Sequence, residues 1–217
     1  MANLQSKTIN IMYFSKHNEN VTFSYTYGSA LEVEAKGSVC KEDTDVEPYP
    51  NKNWSKEHYR IELTEGVTSV GAGFLDVFVN MEELIIHRSV KNIEVTPQLK
   101  KILNNVTIRG WRKTYAEKFA GQYGLKFLQA DIMVGWHRTD YSNTKLTIRF
   151  KNDGTPYLEY DEYTSGISAG NCGGGTYTRD IEPDFYKTET LESFANRLPG
   201  YHDVILKNKD LAHLFKA

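Results

Sequence analysis

A strand-rich α+β fold built on a short stack of repeats is what this sequence predicts, and three observations predict it. Apolar and β-branched residues alternate at period two through KTINIMYF, VTFSYTYG and ALEVEAKGSV, within residues 7–39. A pattern of apolar positions then recurs every 22–23 residues through the middle of the chain. Aromatic residues (14 Tyr, 10 Phe and 3 Trp) lie in many of the alternating stretches, which favours strands.

In the lead-in, Gly28-Ser29 is a hairpin-turn signal between two alternating runs. Residues 40–57 are polar and contain Pro48 and Pro50, which reads as a loop. The repeat follows. Ile61 and Leu63 recur as Leu84 and Ile86, then as Val106 and Ile108, and Gly66-Val67-Thr68-Ser69-Val70 recurs as Ser89-Val90-Lys91-Asn92-Ile93. Each unit supplies one short strand and a return segment. No unit buries its apolar side alone, so about three must stack to make a core. After Ile108, Thr114 is placed to cap a helix over Tyr115–Gln122. Its stripe is Ala116, Phe119, Ala120 and Tyr123, and Gly124 ends it. Leu125 and Phe127 return as a strand, so the helix closes the stack.

The repeat residues Ile61, Leu63, Gly66, Val67, Val70, Gly71 and Phe74, then Leu84, Ile86, Val90 and Ile93, resemble those of the BspA-like leucine-rich repeats. The closing segment is similar too, with Tyr115-Ala116, Ala120, Gly124 and Lys126-Phe127, and so is the lead-in through Trp54. The resemblance spans residues 20–130. It implies a short leucine-rich-repeat solenoid of about three units, with a β-hairpin lead-in and a capping helix, occupying residues 1–130. Residues 131–217 then form a small α+β module. Here TKLTIRF, Asn152-Asp153-Gly154 and PYLEYDEY read as a hairpin, followed by a glycine-rich loop, a helix over Thr190–Leu198, a strand at Asp203–Leu206 and a short helix at Lys209–Phe215.

The function expected of such a stack is non-enzymatic protein recognition through the sheet's outward side chains: Arg60, Glu62, Glu83, Ile85, Thr107 and Arg109. Charge gives the first alternative. Residues 1–83 carry net −6, 84–130 carry +7 and 131–217 carry −3. The middle segment, with Arg88, Lys91, Lys100, Lys101, Arg112 and Lys113, would suit an acidic partner or a nucleic acid, with Trp111, Tyr115 and Phe119 as stacking rings. The simpler reading is a solvated face and core aromatics. The second alternative is a thiol hydrolase or transferase. Cys172 in Gly170-Asn171-Cys172-Gly173-Gly174-Gly175 would be the nucleophile, with His202 or His213 as base and Asp203 or Asp210 as orienter. A flexible turn is the simpler account of the glycines. Glu159 and Asp161 share one face of their strand, an arrangement that suits a paired-carboxylate site, but a solvated edge is the expected reading. The six histidines and two cysteines show no metal-ligand spacing. No catalytic residue, metal or cofactor is assigned. No apolar run is long enough to span a membrane and no signal peptide is evident, so a reducing cytoplasmic setting is expected.

Overall fold

In the computed structural model the chain divides into two units, Met1–Gln129 and Ala130–Ala217. The structure describes residues 10–26, 30–47, 54–138, 142–151, 153–164, 167–168, 171–172, 176–208, 211–212 and 214–215.

The first unit begins with β1 (Asn10–Ser15), β2 (Thr22–Thr26) and β3 (Leu31–Glu34), paired antiparallel in order. The Gly28-Ser29 turn lies outside the described residues. β4 (Gly37–Val39) leads into a 3₁₀ turn at Lys41–Thr44 and then β5 (Val46–Glu47), which pairs back onto β1. Within the loop expected over 40–57, the described residues thus hold two 3₁₀ turns and β5, the second turn at Trp54–Glu57. From here short strands alternate between two sheets. β6 (Arg60–Leu63) is followed by β7 (Val67–Val70), and β8 (Glu83–Ile86) by β9 (Asn92–Ile93). After α1 (Pro97–Leu103) come β10 (Thr107–Gly110), α2 (Tyr115–Tyr123) and β11 (Phe127–Gln129). Two sheets result, one ordered β11-β10-β8-β6-β3-β2-β1-β5 and one ordered β4-β7-β9.

The repeat register is visible in the pairing. Ile61 and Leu63 stand parallel to Leu84 and Ile86, and Val70 stands parallel to Ile93. The third unit differs from the sequence expectation. Leu84 faces Ile108 and Ile86 faces Gly110, so the offset is 24 residues. The added length goes into α1, which starts at Pro97 behind the N-cap Thr96. Thr96 Oγ1 accepts the Leu99 N–H at 3.0 Å and donates to the Asp76 carboxylate at 2.7 Å. A two-residue shift leaves each side chain on its own face, because side chains alternate at period two.

Between the sheets, Leu31, Val33, Ile61, Leu63, Leu84, Ile86 and Ile108 are sealed from water. Phe23, Trp54, Phe74 and Phe78 fill the wider space, with Trp54 ring centroids 5.2 Å from Phe23 and 5.8 Å from Phe78. α2 ends at Gly124 in a left-handed cap, and Ala116, Phe119 and Ala120 are buried. A Cβ at Gly110 would collide with Ala116, so glycine there lets α2 lie on β10. Thr114 precedes α2 as expected, but its hydroxyl donates back to the Trp111 carbonyl; Glu117 accepts the Lys113 N–H instead.

The second unit is the antiparallel sheet β12 (Ile132–Arg138), β13 (Ser142–Phe150), β14 (Pro156–Thr164) and β17 (Thr176–Pro183), with a ribbon of β15 (Ile167–Ser168) and β16 (Asn171–Cys172) between the last two in sequence. One face packs α3 (Phe185–Thr188), α4 (Leu191–Arg197) and α5 (His202–Lys207) over Leu146, Ile148, Phe150 and Leu158. Tyr157 pairs with Arg149 on the other face. The strand expected at Asp203–Leu206 is helical. The preceding turn at Pro199–Tyr201 starts a helix that buries only Ile205 of the apolar run. No helix forms among the described residues of 209–215, where Leu211 and Phe215 instead insert singly into the core.

Two substitutions separate backbone constraint from space. Gly66 has φ +106°, and a Cβ there would collide with the Ala35 carbonyl, whereas Gly121 in α2 has open space around it. Gly66→Ala is expected to lower unfolding stability by roughly 1–3 kcal/mol and Gly121→Ala to raise it by about 0.5–1 kcal/mol, read from urea midpoints.

His58 gives a pH test. It is buried, its Nδ1 has no hydrogen-bond partner, and its ring centroid lies 4.7 Å from that of Tyr25. Burial pushes its pKa down, with Glu57 opposing. The unfolded chain therefore takes up the proton first. Stability is full above the unfolded value of about 6.5 and falls as pH drops below it. Urea midpoints at about pH 7.5 and about pH 5.5 should differ in the parent and differ less in His58→Phe.

Candidate functional site

Parallel pairing aligns the outward side chains of the large sheet into rows. One row runs Met12, Ser24, Glu32, Glu62, Ile85, Arg109 and Leu128 across seven strands. Beside it lie Glu47-Phe14-Thr22-Glu34 and Arg60-Glu83-Thr107. The six residues expected on this face do stand on it, in register.

Their exposure is unequal, and this corrects the expectation of one open surface. Ile85 is 9% and Leu128 6% exposed, although neither belongs to the inter-sheet core. Glu83 accepts from Arg60 Nε at 3.0 Å and from Arg109 Nε at 2.8 Å, binding three strands together. Arg109 also donates to the Gln129 carbonyl. These half-buried pairs are structural. The accessible part lies toward β1. There Met12 and Phe14 are each 44% exposed, with Glu34 and Glu47 exposed and Glu32 and Glu62 half-exposed nearby. The sequence signal for Met12 and Phe14 was the alternation in NIMYFS, which put Tyr13 inside and its neighbours outside.

The basic residues do not form one patch. Arg88, Arg112 and Lys113 leave the ends of β8 and β10 beside Trp111, with the Arg88 guanidinium 5.1 Å from the indole centroid and Lys91 Nζ donating to the Arg88 carbonyl. Lys100 and Lys101 ride on α1, which leads into the opposite end of β10. Phe119 is core, and the Tyr115 hydroxyl accepts the Ile93 N–H at 2.8 Å, which ties α2 to β9. Neither ring is free to stack on a base.

The thiol constellation lies largely outside the described residues. Cys172 lies in β16 opposite Ile167, and its side chain, like His213 and Asp210, lies outside the described residues. His202 Nδ1 lies 3.0 Å from Asp203 Oδ1, but the two are neighbours on α5 beside a concavity that Tyr201 also lines.

Glu159 and Asp161 share a face as expected, but β17 pairs beyond them, so their strand is central and not an edge. Glu159 is buried. It accepts from Arg149 Nε and lies 3.7 Å from Arg179 Nε. Arg149 also reaches Asp131 at 3.0 Å, and Arg179 reaches Asp161 at 2.8 Å. This chain of alternating charges crosses the sheet and uses both carboxylate oxygens of Glu159, so no paired-carboxylate acid and base arises.

Spacing misses one further constellation. His17, Cys40 and Asp43 bring an imidazole nitrogen, a thiol and a carboxylate oxygen within 4.8 Å of one another. The donors come from two segments joined only by the fold.

No protein-family pattern, curated protein or solved structure matches the chain.

Replacing Glu159 by Leu removes the carboxylate that Arg149 and Arg179 share, while Asp131 still meets Arg149 and Asp161 still meets Arg179. The half-exposed arginines soften the effect, so a loss of about 1–3 kcal/mol is expected from denaturant unfolding, with Glu159→Gln retaining part of it.

Proposed function

We propose that the first unit is a short leucine-rich-repeat solenoid of the BspA-like kind and that it acts as a non-enzymatic protein-interaction module. The solenoid reading is supported by two parallel ladders that advance by one repeat per coil, with apolar residues in matching inward positions. The interaction reading rests on one observation: Met12 and Phe14 stand exposed on a rigid sheet face beside carboxylates. Large apolar side chains adjoining a charged rim are the usual composition of a recognition patch.

The partner this face suits is a protein segment carrying apolar and basic side chains. Glu47 stands directly opposite Phe14, Glu34 stands in the same row beyond Thr22, and both carboxylates are exposed. A basic side chain placed beside Phe14 meets these carboxylates. Apolar contacts on Met12 and Phe14 then supply affinity, and charge supplies register and association rate. Nucleic-acid binding has less support, because the basic residues sit on separate elements and their aromatic neighbours are engaged.

Affinity capture of the tagged chain from native lysate tests this reading. One protein should be recovered stoichiometrically, insensitive to nuclease and to Cys172→Ala. Recovery should fall about tenfold or more in Phe14→Ser/Met12→Ser and in Glu34→Lys/Glu47→Lys. Recovery that vanishes with nuclease, that follows Cys172, or that ignores the face variants would overturn it.

A further inference from the structure

His17, Cys40 and Asp43 carry an inference independent of the docking face. β1 ends at Ser15, and the chain turns through His17 and Asn18. Cys40 is the N-cap of the 3₁₀ turn that contains Asp43. These two places meet because β5, which follows that turn, pairs with β1. Lys16 reinforces the junction, with its N–H on the Asp45 carbonyl at 2.8 Å and its Nζ on the Asp45 carboxylate at 3.1 Å.

Asp43 is 1% exposed, and its carboxylate organises the cluster. Oδ2 accepts the Cys40 N–H at 2.8 Å, and Oδ1 accepts the Ser15 hydroxyl at 3.2 Å. The Ser15 oxygen in turn accepts the N–H groups of His17 and Asn18, both at 3.1 Å. One carboxylate thus holds in place the backbone segments that carry the other two donors.

From this arrangement we propose that His17, Cys40 and Asp43 bind a Zn2+ ion, with a water as the fourth donor. The donor chemistry selects the metal. A thiolate and an imidazole are poor ligands for Mg2+ or Ca2+ and good ligands for Zn2+. Zn–S of about 2.3 Å and Zn–N or Zn–O of about 2.0–2.1 Å put tetrahedral donors about 3.3–3.6 Å apart. The donors already lie within 4.8 Å, and His17 is exposed and free to turn inward. Each Asp43 oxygen keeps a lone pair for the ion after its present hydrogen bond. Ser15 orients the carboxylate from behind, as outer partners of metal ligands do.

Cobalt titration of the full chain after chelator treatment reads the site directly. Co2+ should bind at one ion per chain. It should give a thiolate-to-cobalt charge-transfer band and intense visible bands of a tetrahedral ion, all displaced by Zn2+. Cys40→Ser should abolish the charge-transfer band while leaving the circular dichroism unchanged, and Cys172→Ser should retain the band. His17→Ala should weaken binding by about a hundredfold and Ser15→Ala by about tenfold. A weak octahedral cobalt spectrum, a band that survives Cys40→Ser, or a band lost in Cys172→Ser would overturn the assignment.

Discussion

The first unit depends on keeping two parallel ladders in step. A parallel strand buries its inward residues only if the next coil brings its own apolar residues to the same level. Ile61 against Leu84, Leu63 against Ile86, and Val70 against Ile93 meet that condition together. A slip of one residue in either ladder would turn carboxylates such as Glu62 into a core lined by Phe74 and Phe78. The shift in the third unit is tolerated because it is even: Ile108 takes the level of Leu84, and Gly110 meets Ile86. Where Gly110 leaves space, Ala116 of α2 occupies it.

The large sheet has two ends, and they are built differently. At one end β3 passes into an antiparallel meander that finishes in the two-residue β5. At the other, α2 packs on β10 and β11, and β11 ends the sheet after three residues. Short terminal strands leave little free backbone for unwanted pairing. The meander also makes the chemistry of the outward face asymmetric. Charges at the β8–β10 side are consumed in the Arg60–Glu83–Arg109 bridge, whereas Met12 and Phe14 at the β1 side keep their exposure.

Sequence periodicity made the inward residues of the repeat legible, along with the alternation of the lead-in, the α2 stripe and the β13–β14 hairpin. Each is a local pattern. α1 carries a local signal as well, since Thr96-Pro97 is a cap followed by a first-turn proline. The apolar run at Val204–Leu206 is too short for its period to distinguish strand from helix. The surroundings of Glu159 depended on β17, whose TYTRDIEP gives little apolar alternation. The His17–Cys40–Asp43 cluster lay beyond any spacing rule. Its donors converge only after β5 closes onto β1, and nothing local to His17 announces that.

The same closure places two kinds of chemistry on one short strand. Phe14 faces outward beside Glu47, while Ser15, the next residue, faces inward and bonds Asp43. A ligand on the outer face and an ion at the strand's end would therefore both act on the β1–β5 pair, whose described register is Phe14 with Glu47 and Ser15 with Val46. An ion joining His17 to the turn that precedes β5 would add a cross-link to the Lys16–Asp45 contacts there. Ordering that edge before a partner arrives lowers the entropic cost of docking on Phe14, which is the physical route by which metal occupancy and partner affinity would be coupled.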